Sequence, residues 1–533
     1  EGNPYYMEEL VRRLIDDGVI VVGPARWTAV ADRLDTLRLP GTLVGLLQAR
    51  LDALPAGDRH AARQASVIGH VFWDDALQAL DAKAPQALPA LQRAAFVKDH
   101  DTSDFAGTPE RQFDHHLLHQ VTYDTLLKAE RRLGHAAAAR WLSERTQGRG
   151  AEFLAMTGEH AERAGDTDLA ITCFEQAGQQ AEQRFANAAA AAWLRRALAL
   201  LGESAPARRL DLLARLEVLA DTLGDRPAQE AVHQAMAALL QQHPSDAGQA
   251  LLCWCQALLA DRRSDTATAQ GHCRQASAWA ESCGAAHTAA RARGLMGWLT
   301  LSQGDCEGAR GHIEIGLTWA ARIDAPELRA VAEAQLLTIS AMVSNELCHF
   351  GQARQALLAV LARGEAIPSL RLQSAAMDNL AEAAVRQGQW DELRAWAQRL
   401  LALAEAYGSQ RDLARAQTRM SLALWSRGDA AAALPWCEQS LVSHRRVGDR
   451  YMEAVALRSL GWLHFERGDV QTALDFCQQA QALYATPTET LQACEATVLA
   501  ALCQVRLGQE QAAQTAREAV DAVFDFARAG FNE

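Results

Sequence analysis

The residues of this sequence that could hold a metal or transfer a proton fall in two short groups. His115 and His119 are four positions apart with His116 between them, so on a helix their rings would share a face and could ligate zinc. Asp74 and Asp75 are adjacent carboxylates. All eleven cysteines lie at residue 173 or later, so none is near His119 in the sequence to complete a zinc site. Acidic pairs such as Asp74 and Asp75 are favoured at any helix N-terminus. We therefore interpret both groups as structural and expect no metal site.

The sequence lacks the glycine- and lysine-containing loop that usually binds the phosphates of a nucleotide. A phosphate-cradling loop needs Gly-Lys-Ser/Thr at the start of a helix, whereas none of the three lysines, Lys83, Lys98 and Lys128, follows a glycine. The sequence contains no other catalytic constellation that we can identify. We expect this chain alone to have no catalytic residues, to bind no cofactor and not to be an enzyme.

Composition favours a helical protein of the cytoplasm. The formal net charge is −13, so we expect no direct nucleic-acid ligand. Hydrophobic residues make up 49% with only 14 prolines and 6 tyrosines, which suits close-packed helices. The cysteines form no CxxC pair, which indicates reduced thiols. No apolar run approaches the roughly 18 residues of a membrane span.

Glycines at 388, 428, 468 and 508 recur at a fixed interval in the last third of the chain: 428 − 388 = 40, 468 − 428 = 40 and 508 − 468 = 40. A constant period in a helix-forming sequence is the mark of a solenoid. Each glycine is expected to end one helix in a left-handed conformation, and an aspartate after it to cap the next helix. Residues 150–533 are therefore predicted to form an array of about nine or ten helix pairs, with a shorter or degenerate pair at 183–201.

Small residues occur at fixed offsets from the turn glycines. Alanine stands five positions after most of them, as in Ala433 and Ala473, and a small residue stands seven before, as in Gly297, Ser421 and Gly461. Such residues let paired helices approach closely. The offsets resemble those of the tetratricopeptide (TPR) repeat, whose usual period is 34. The longer period predicts longer second helices.

The inner face of a TPR array is its usual ligand surface, supplied by fixed positions of the first helices. Aromatic and charged side chains there make good binding anchors, although tryptophans also pack between repeats. The residues predicted to bind an effector or partner are Trp298, Asp378, Glu382, Arg386, Trp425, Arg458, Trp462 and Glu466.

Before the array, residues 56–146 read as three helices, a strand, a loop, a second strand and a helix, which is the order of a winged helix. The strands are expected at 96–98 and 111–113. The third helix, at 86–94, offers few groups that read DNA, so DNA binding is not expected. Residues 1–55 are predicted to contain a capped helix, a hairpin around Gly23 and a helix from Gly41.

Several stretches of residues 1–145 resemble, in order, landmarks of bacterial STAND-type signalling ATPases, which are often fused to a class III adenylate or guanylate cyclase. They are EGNPYYMEEL at 1–10, DGVI at 17–20, LPGTL at 39–43, ASVIG at 65–69 and FDHHLLHQVTYDTLL at 113–127. The resemblance implies that 1–55 is part of a helical lid in which Gly2, Asn3 and Pro4 lie on the nucleotide side, followed by a winged helix. ATP or ADP with magnesium would then belong to an N-terminal domain absent from this chain, and we expect both ends of the chain to be cuts through a longer protein.

Two functions remain open. In the first, the array senses a protein or small effector and controls the missing NTPase and a cyclase-like output domain. In the second, the chain is a free-standing TPR adaptor for protein interaction without nucleotide coupling.

Overall fold

The computed structural model describes residues 42–145, 150–203, 205–367, 369–483 and 491–509, together with scattered positions in 7–30 and 514–521. The described residues form two compact units by contact clustering. The first unit comprises Glu1–Gln180 and Trp193–Gly202, and the second comprises Ala181–Ala192 and Glu203–Glu533. None of the helices described is both long enough and apolar enough to cross a membrane.

The first unit combines helices with two small sheets. Its strands are β1 (Ile20–Val22), β2 (Trp27–Ala29), β3 (Val71–Trp73), β4 (Val97–Asp99) and β5 (Glu110–Phe113). Its first helices are α1 (Leu43–Asp52), α2 (Ala56–Ile68), α3 (Asp74–Leu80), α4 (Leu88–Arg93), α5 (His116–Asp124) and α6 (Lys128–Arg145), with a 3-10 turn at Ala84–Ala87.

Strand β5 is the centre of a three-stranded antiparallel sheet. It pairs with β4 in the register Lys98↔Gln112 and with β3 in the register Phe72↔Arg111. The sequence predicts β4 and β5 but not β3, because a three-residue strand gives almost no alternation to detect. The predicted hairpin is also present, as β1 paired with β2. Phe72, Phe96 and Phe113 are fully buried in the core between this sheet and the surrounding helices.

The remaining helices run antiparallel in pairs from residue 151 onward. They are α7 (Ala151–Ala164), α8 (Thr167–Gln183), α9 (Asn187–Leu200), α10 (Pro206–Leu223), α11 (Arg226–Gln242), α12 (Asp246–Arg262), α13 (Thr266–Cys283), α14 (Ala286–Ser302) and α15 (Cys306–Ala320). They continue as α16 (Pro326–Glu346), α17 (Phe350–Ala366), α18 (Leu370–Arg386), α19 (Trp390–Tyr407), α20 (Gln410–Trp425), α21 (Ala430–Val447), α22 (Arg450–Glu466), α23 (Val470–Leu483) and α24 (Leu491–Arg506). The fold is all-α, a TPR-like solenoid with a few small strands.

Turn chemistry fixes where each pair bends. The predicted turn glycines at 388, 428, 468 and 508 all have positive φ, and so do Gly165, Gly224 and Gly304 at earlier turns, a conformation that costs glycine little. The following aspartates cap the next helix: Asp225, Asp305 and Asp429 each accept a hydrogen bond from a backbone N–H three residues on. Two other turns place Ser264 and Cys348 at positive φ.

The small residues lie where helices of a pair approach most closely. A Cβ atom added at Gly461 would stand 2.8 Å from the Cys477 sulfur. The Ser421 hydroxyl donates a 3.0 Å hydrogen bond to the Ala433 carbonyl. These contacts confirm the reason given for small residues at these offsets.

The predicted degenerate pair at 183–201 is wrong. The segment forms one helix, α9, and the next helix, α10, starts at Pro206. Among the described residues eight complete pairs are present, from α7–α8 and α10–α11 to α22–α23, followed by α24.

Candidate inner-face binding site

First helices of successive repeats are joined by polar contacts between residues 37 to 41 positions apart. We call this set the inner-face ladder. Each rung links one first helix to the next, so the rungs follow the repeat period. The rungs are Asp261–Trp298, Glu346–Arg386, Asp378–Arg419, Glu382–Arg419, Trp425–Glu466 and Arg458–Glu495.

Seven of the eight predicted binding residues belong to this ladder. The eighth, Trp462, packs edge-on against Phe465 of its own helix at 6.1 Å between ring centroids. Asp378 and Glu382 share one partner, Arg419. Trp298 contacts Asp261 instead and is separate from the other seven. The structure therefore brings the predicted residues together as pairs along a face and not as one pocket.

Four arginines surround the buried Asp221 at the end of α10; three of them are largely buried and Arg371 is partly exposed. Its carboxylate lies 3.0 Å from Arg226 Nη1, 3.5 Å from Arg262 Nε, 3.4 Å from Arg411 Nη1 and 4.0 Å from Arg371 Nη2. We call these five residues the central charge cluster. Burial alone would raise the pKa of Asp221, but the arginines outweigh it and hold that pKa far below its usual range. The carboxylate therefore stays ionised and binds the four guanidinium groups.

The cluster is buried because two distant parts of the second unit meet there. Arg226 Nε donates a 2.8 Å hydrogen bond to the Val447 carbonyl, and Asn187 Nδ2 donates a 3.2 Å bond to the Tyr407 carbonyl. Gly224 is essential to this approach, since it has a φ of 71° and an added Cβ would lie 2.8 Å from Val447. The start of α9 thus contacts the end of α19, and the turn between α10 and α11 contacts the end of α21, 220 and 221 residues further along.

Asp378 and Glu382 of α18 form an intermediate set. Arg419 Nε donates to Asp378 at 2.8 Å, and Arg415 lies 3.5 Å from the same carboxylate. Burial acts to raise the pKa of Asp378, but Arg419 and Arg415 lower it overall. The Asp378 side chain is only 11% exposed. These two predicted residues are consequently held by internal ion pairs.

In three rungs the carboxylate is well exposed to solvent, and we call these rungs the distal row: Glu346–Arg386, Trp425–Glu466 and Arg458–Glu495. Arg386 forms a fork on Glu346, with bonds of 2.6 and 2.9 Å, and both side chains are about a third or more exposed. Trp425 Nε1 donates to the exposed Glu466 carboxylate at 2.8 Å. Ion pairs of this kind are individually weak in water, so an incoming ligand can replace either partner.

The two sequence groups considered first have internal partners. His115 Nδ1 accepts a hydrogen bond from the Leu117 backbone N–H at the start of α5, and His119 bonds the Ser66 carbonyl at 2.9 Å. Asp74 receives two 3.0 Å bonds from Arg111, and Asp75 pairs with Arg145 at 2.9 Å. Gly2, Asn3 and Pro4 lie outside the described residues, so their predicted place beside a nucleotide stays a prediction.

Sequence reasoning missed the arginines of the central charge cluster. Arg371 and Arg411 are separated by 411 − 371 = 40 residues, the repeat period, and both occupy the start of a first helix. The equivalent repeat positions of Arg371 and Arg411 could therefore be recognised from the sequence alone. Their common partner Asp221 could not, because it lies outside the last-third repeats on which the period was measured.

Comparison with known proteins supports the repeat assignment. Residues 412–486 match the family model of the tetratricopeptide repeat. The chain therefore contains a TPR region, a fold whose stacked repeats present a concave surface for protein interaction. An uncharacterized protein of Rhizobium meliloti (strain 1021) is 29% identical over 236 residues, which are 40% of this chain and 20% of that protein. The chain thus matches only a fifth of that relative's length.

Solved structures with similar folds include a signal transduction ATPase with numerous domains (STAND) and a tetratricopeptide repeat sensor from Pyrococcus horikoshii. It has 10% sequence identity and a TM-score of 0.38, over 92% of this chain and 66% of that one. A Rap protein complexed with competence and sporulation factor has 13% identity and a TM-score of 0.49, over 67% of this chain and 99% of that one. A chain of the APC/C hetero-tetramer Cut9-Hcn1 has 13% identity and a TM-score of 0.45, over 91% of this chain and 83% of that one.

Proposed function

We propose that this chain is the regulatory region of a larger bacterial signalling ATPase. In this proposal the TPR array binds a protein or small effector on its inner face and controls an N-terminal NTPase and a cyclase-like output domain. The nucleotide, ATP or ADP with magnesium, would bind mainly to that N-terminal domain. This chain would contribute the lid residues Gly2, Asn3 and Pro4.

The distal row is the observation that carries the binding half of the proposal. Arg386, Trp425 and Arg458 present a guanidinium fork, an indole N–H group and aromatic area on three successive first helices, which are the groups that dominate interface energies. Their current partners, Glu346, Glu466 and Glu495, are half-exposed or exposed carboxylates of the same chain. A ligand carrying carboxylates and aromatic side chains, such as an acidic peptide segment, would substitute for them with the same geometry.

Support for coupling to an ATPase comes from the first unit. The order of α2, β3, α3, α4, β4 and β5 is the order of helices and strands in a winged helix, with β5 in the middle of the sheet. Together with the motifs of residues 1–127, this order favours the lid and winged-helix reading. A curated relative five times longer than the matched stretch is in keeping with a multidomain protein.

The coupling is tested on the longer protein that the upstream coding sequence specifies. ATP hydrolysis and cyclase activity are measured with and without residues 150–533. We expect deletion of the array to change the ATPase rate, since the array would set the resting state of the motor. Unchanged activities would contradict the regulatory role.

The binding surface is tested separately by partner capture from native lysate. Arg458→Ala combined with Trp425→Ala and Trp462→Ala should abolish capture, because all three lie on first helices of the distal repeats. Trp390→Ala with Val442→Ala is the matched control, since both residues are exposed on second helices. Capture that survives in the folded triple variant would place the ligand elsewhere.

The second candidate is a free-standing TPR adaptor. It makes the same prediction for partner capture but none for nucleotide. Upstream coding sequence without a phosphate-binding loop, combined with capture that depends on the distal row, would favour the adaptor.

A further inference from the structure

A group of side chains that could bind a metal lies on the three consecutive helices α10, α11 and α12. Glu217, His233 and Cys255 come one from each helix, and their side chains are buried, with 1%, 6% and 1% of each residue exposed. One ligand atom of each residue lies within 4.8 Å of those of the other two. A carboxylate, an imidazole and a thiol thus converge on one interior point.

The polar atoms of this group are incompletely satisfied. His233 Nε2 is buried without a hydrogen-bond partner, and it stands 3.8 Å from Glu217 Oε1, beyond hydrogen-bond length. Glu217 accepts one 2.9 Å bond, from Gln229 Nε2. Among the described residues Glu217 forms no ion pair with an arginine or lysine; its ion-pair neighbour is His233. The buried Arg291 supplies some positive charge near Glu217 and Cys255, and a metal cation at the point of convergence would compensate these two acidic groups directly.

Gln229 holds the Glu217 carboxylate in place by a hydrogen bond, as residues behind the ligands of a metal site commonly do. Its side chain is fully buried; it donates to Glu217 and accepts from Arg226 Nη1. Partners of this kind fix the direction of a ligand atom and are part of metal sites generally. The same Arg226 belongs to the central charge cluster, so the two groups share a hydrogen-bond chain.

We propose that Glu217, His233 and Cys255 form a zinc site that ties α10, α11 and α12 together. The donor set selects the metal: a thiolate with an imidazole and one carboxylate suits zinc, whereas calcium and magnesium take oxygen ligands. Zinc bonds of about 2.0–2.3 Å in a tetrahedron separate ligand atoms by roughly 3.3–3.8 Å, so the observed spacing needs only a small contraction. Three protein donors leave the fourth position for water.

The site is tested on the whole chain by metal content and by cobalt substitution. The chain is stripped with a chelator, dialysed against zinc, and its zinc content measured. We expect one zinc ion per chain and, with cobalt in place of zinc, a thiolate-to-cobalt charge-transfer band in the near ultraviolet. Bound zinc should also raise the melting temperature.

Variants locate the metal. Cys255→Ser should remove the charge-transfer band, and His233→Gln and Glu217→Gln should each weaken zinc binding at least about tenfold. Cys273→Ser is the matched control, since Cys273 is equally buried on the neighbouring helix α13 but outside the group; it should retain band and stoichiometry. Circular dichroism verifies folding, and Glu217→Gln keeps the side chain's size. A wild-type chain that binds no zinc, or variants that bind as tightly as Cys273→Ser, would overturn the proposal.

Discussion

Asp221 and Glu466 have similar polar partners, but the Asp221 side chain is buried and the Glu466 side chain is exposed to solvent. In both places an acidic side chain meets hydrogen-bond donors from other helices of the array. The Asp221 side chain is 5% exposed and lies among four arginines, whereas Glu466 is exposed and accepts a hydrogen bond from Trp425. The difference arises because the α10–α11 turn contacts the start of α20 and the end of α21.

The comparison teaches that repeat position alone does not assign a role to a charged inner-face residue. Where distant repeats meet, removing one member leaves desolvated charges behind. Where the face stays open, water replaces a lost partner at little cost. The central charge cluster should therefore determine stability, and the distal row should be free to bind.

The largest expected effect is that of Asp221→Asn. The substitution keeps size but leaves the buried arginines without their common anion, which should lower the free energy of unfolding by about 3–5 kcal/mol. Urea denaturation of the whole chain measures it. Asp211→Asn, an exposed aspartate of the same helix, is the control and should change stability by less than about 0.5 kcal/mol. Equal losses of stability for Asp221→Asn and Asp211→Asn would contradict the claim that the central charge cluster determines stability.

Acid should remove the difference between wild type and Asp221→Asn. The folded-state pKa of Asp221 is depressed, so its stabilisation is complete above the unfolded-state pKa of about 3.9 and is lost as the pH falls toward the folded-state value. We expect a constant stability gap from pH 7 to about pH 5 and a narrowing gap below about pH 4. Denaturation series of both proteins measure it; a gap that widens in acid would contradict the assignment.

Two tryptophans make the same contact in the two settings. Trp298 Nε1 donates at 3.1 Å to Asp261, whose side chain is 13% exposed, and Trp425 Nε1 donates at 2.8 Å to the exposed Glu466. Phenylalanine retains the aromatic packing and removes only the N–H group. Trp298→Phe should cost about 1–3 kcal/mol and Trp425→Phe less than about 1 kcal/mol. Thermal and urea denaturation measure the two losses of stability. A larger loss for Trp425→Phe than for Trp298→Phe would contradict the claim that burial sets the value of these hydrogen bonds.

The local part of the fold was predictable from sequence. Glycine at positive φ acts within a few residues, so Gly388, Gly428 and Gly468 identify their turns directly, and Asp429 caps the helix that follows Gly428. The small residues at the helix crossings follow from the same register. The positions that join successive first helices also follow from the sequence, since a constant period returns the same side of each first helix, and their place on a binding face stays a prediction.

Features that depend on the path of the whole array were not predictable. The contact of Asp221 with Arg411 spans 190 residues and depends on the superhelical twist, which accumulates over many repeats. The convergence of Glu217, His233 and Cys255 requires the relative rotation of three helices, and the spacing of these residues follows no metal-binding motif. Strand β3 and the unpaired helix α9 depend on their packing partners more than on local propensity.

The most direct test of the account is a pair of double-mutant cycles measured by urea denaturation on the same chain. One cycle combines Asp221→Asn with Arg411→Gln, and the other combines Glu495→Gln with Arg458→Gln. Because the first pair is buried and the second is partly exposed, we expect a coupling free energy of about 2–3 kcal/mol for Asp221 and Arg411 and less than about 1 kcal/mol for Glu495 and Arg458. Couplings of equal size would contradict the claim that burial separates the structural charges of this array from those that remain available for binding.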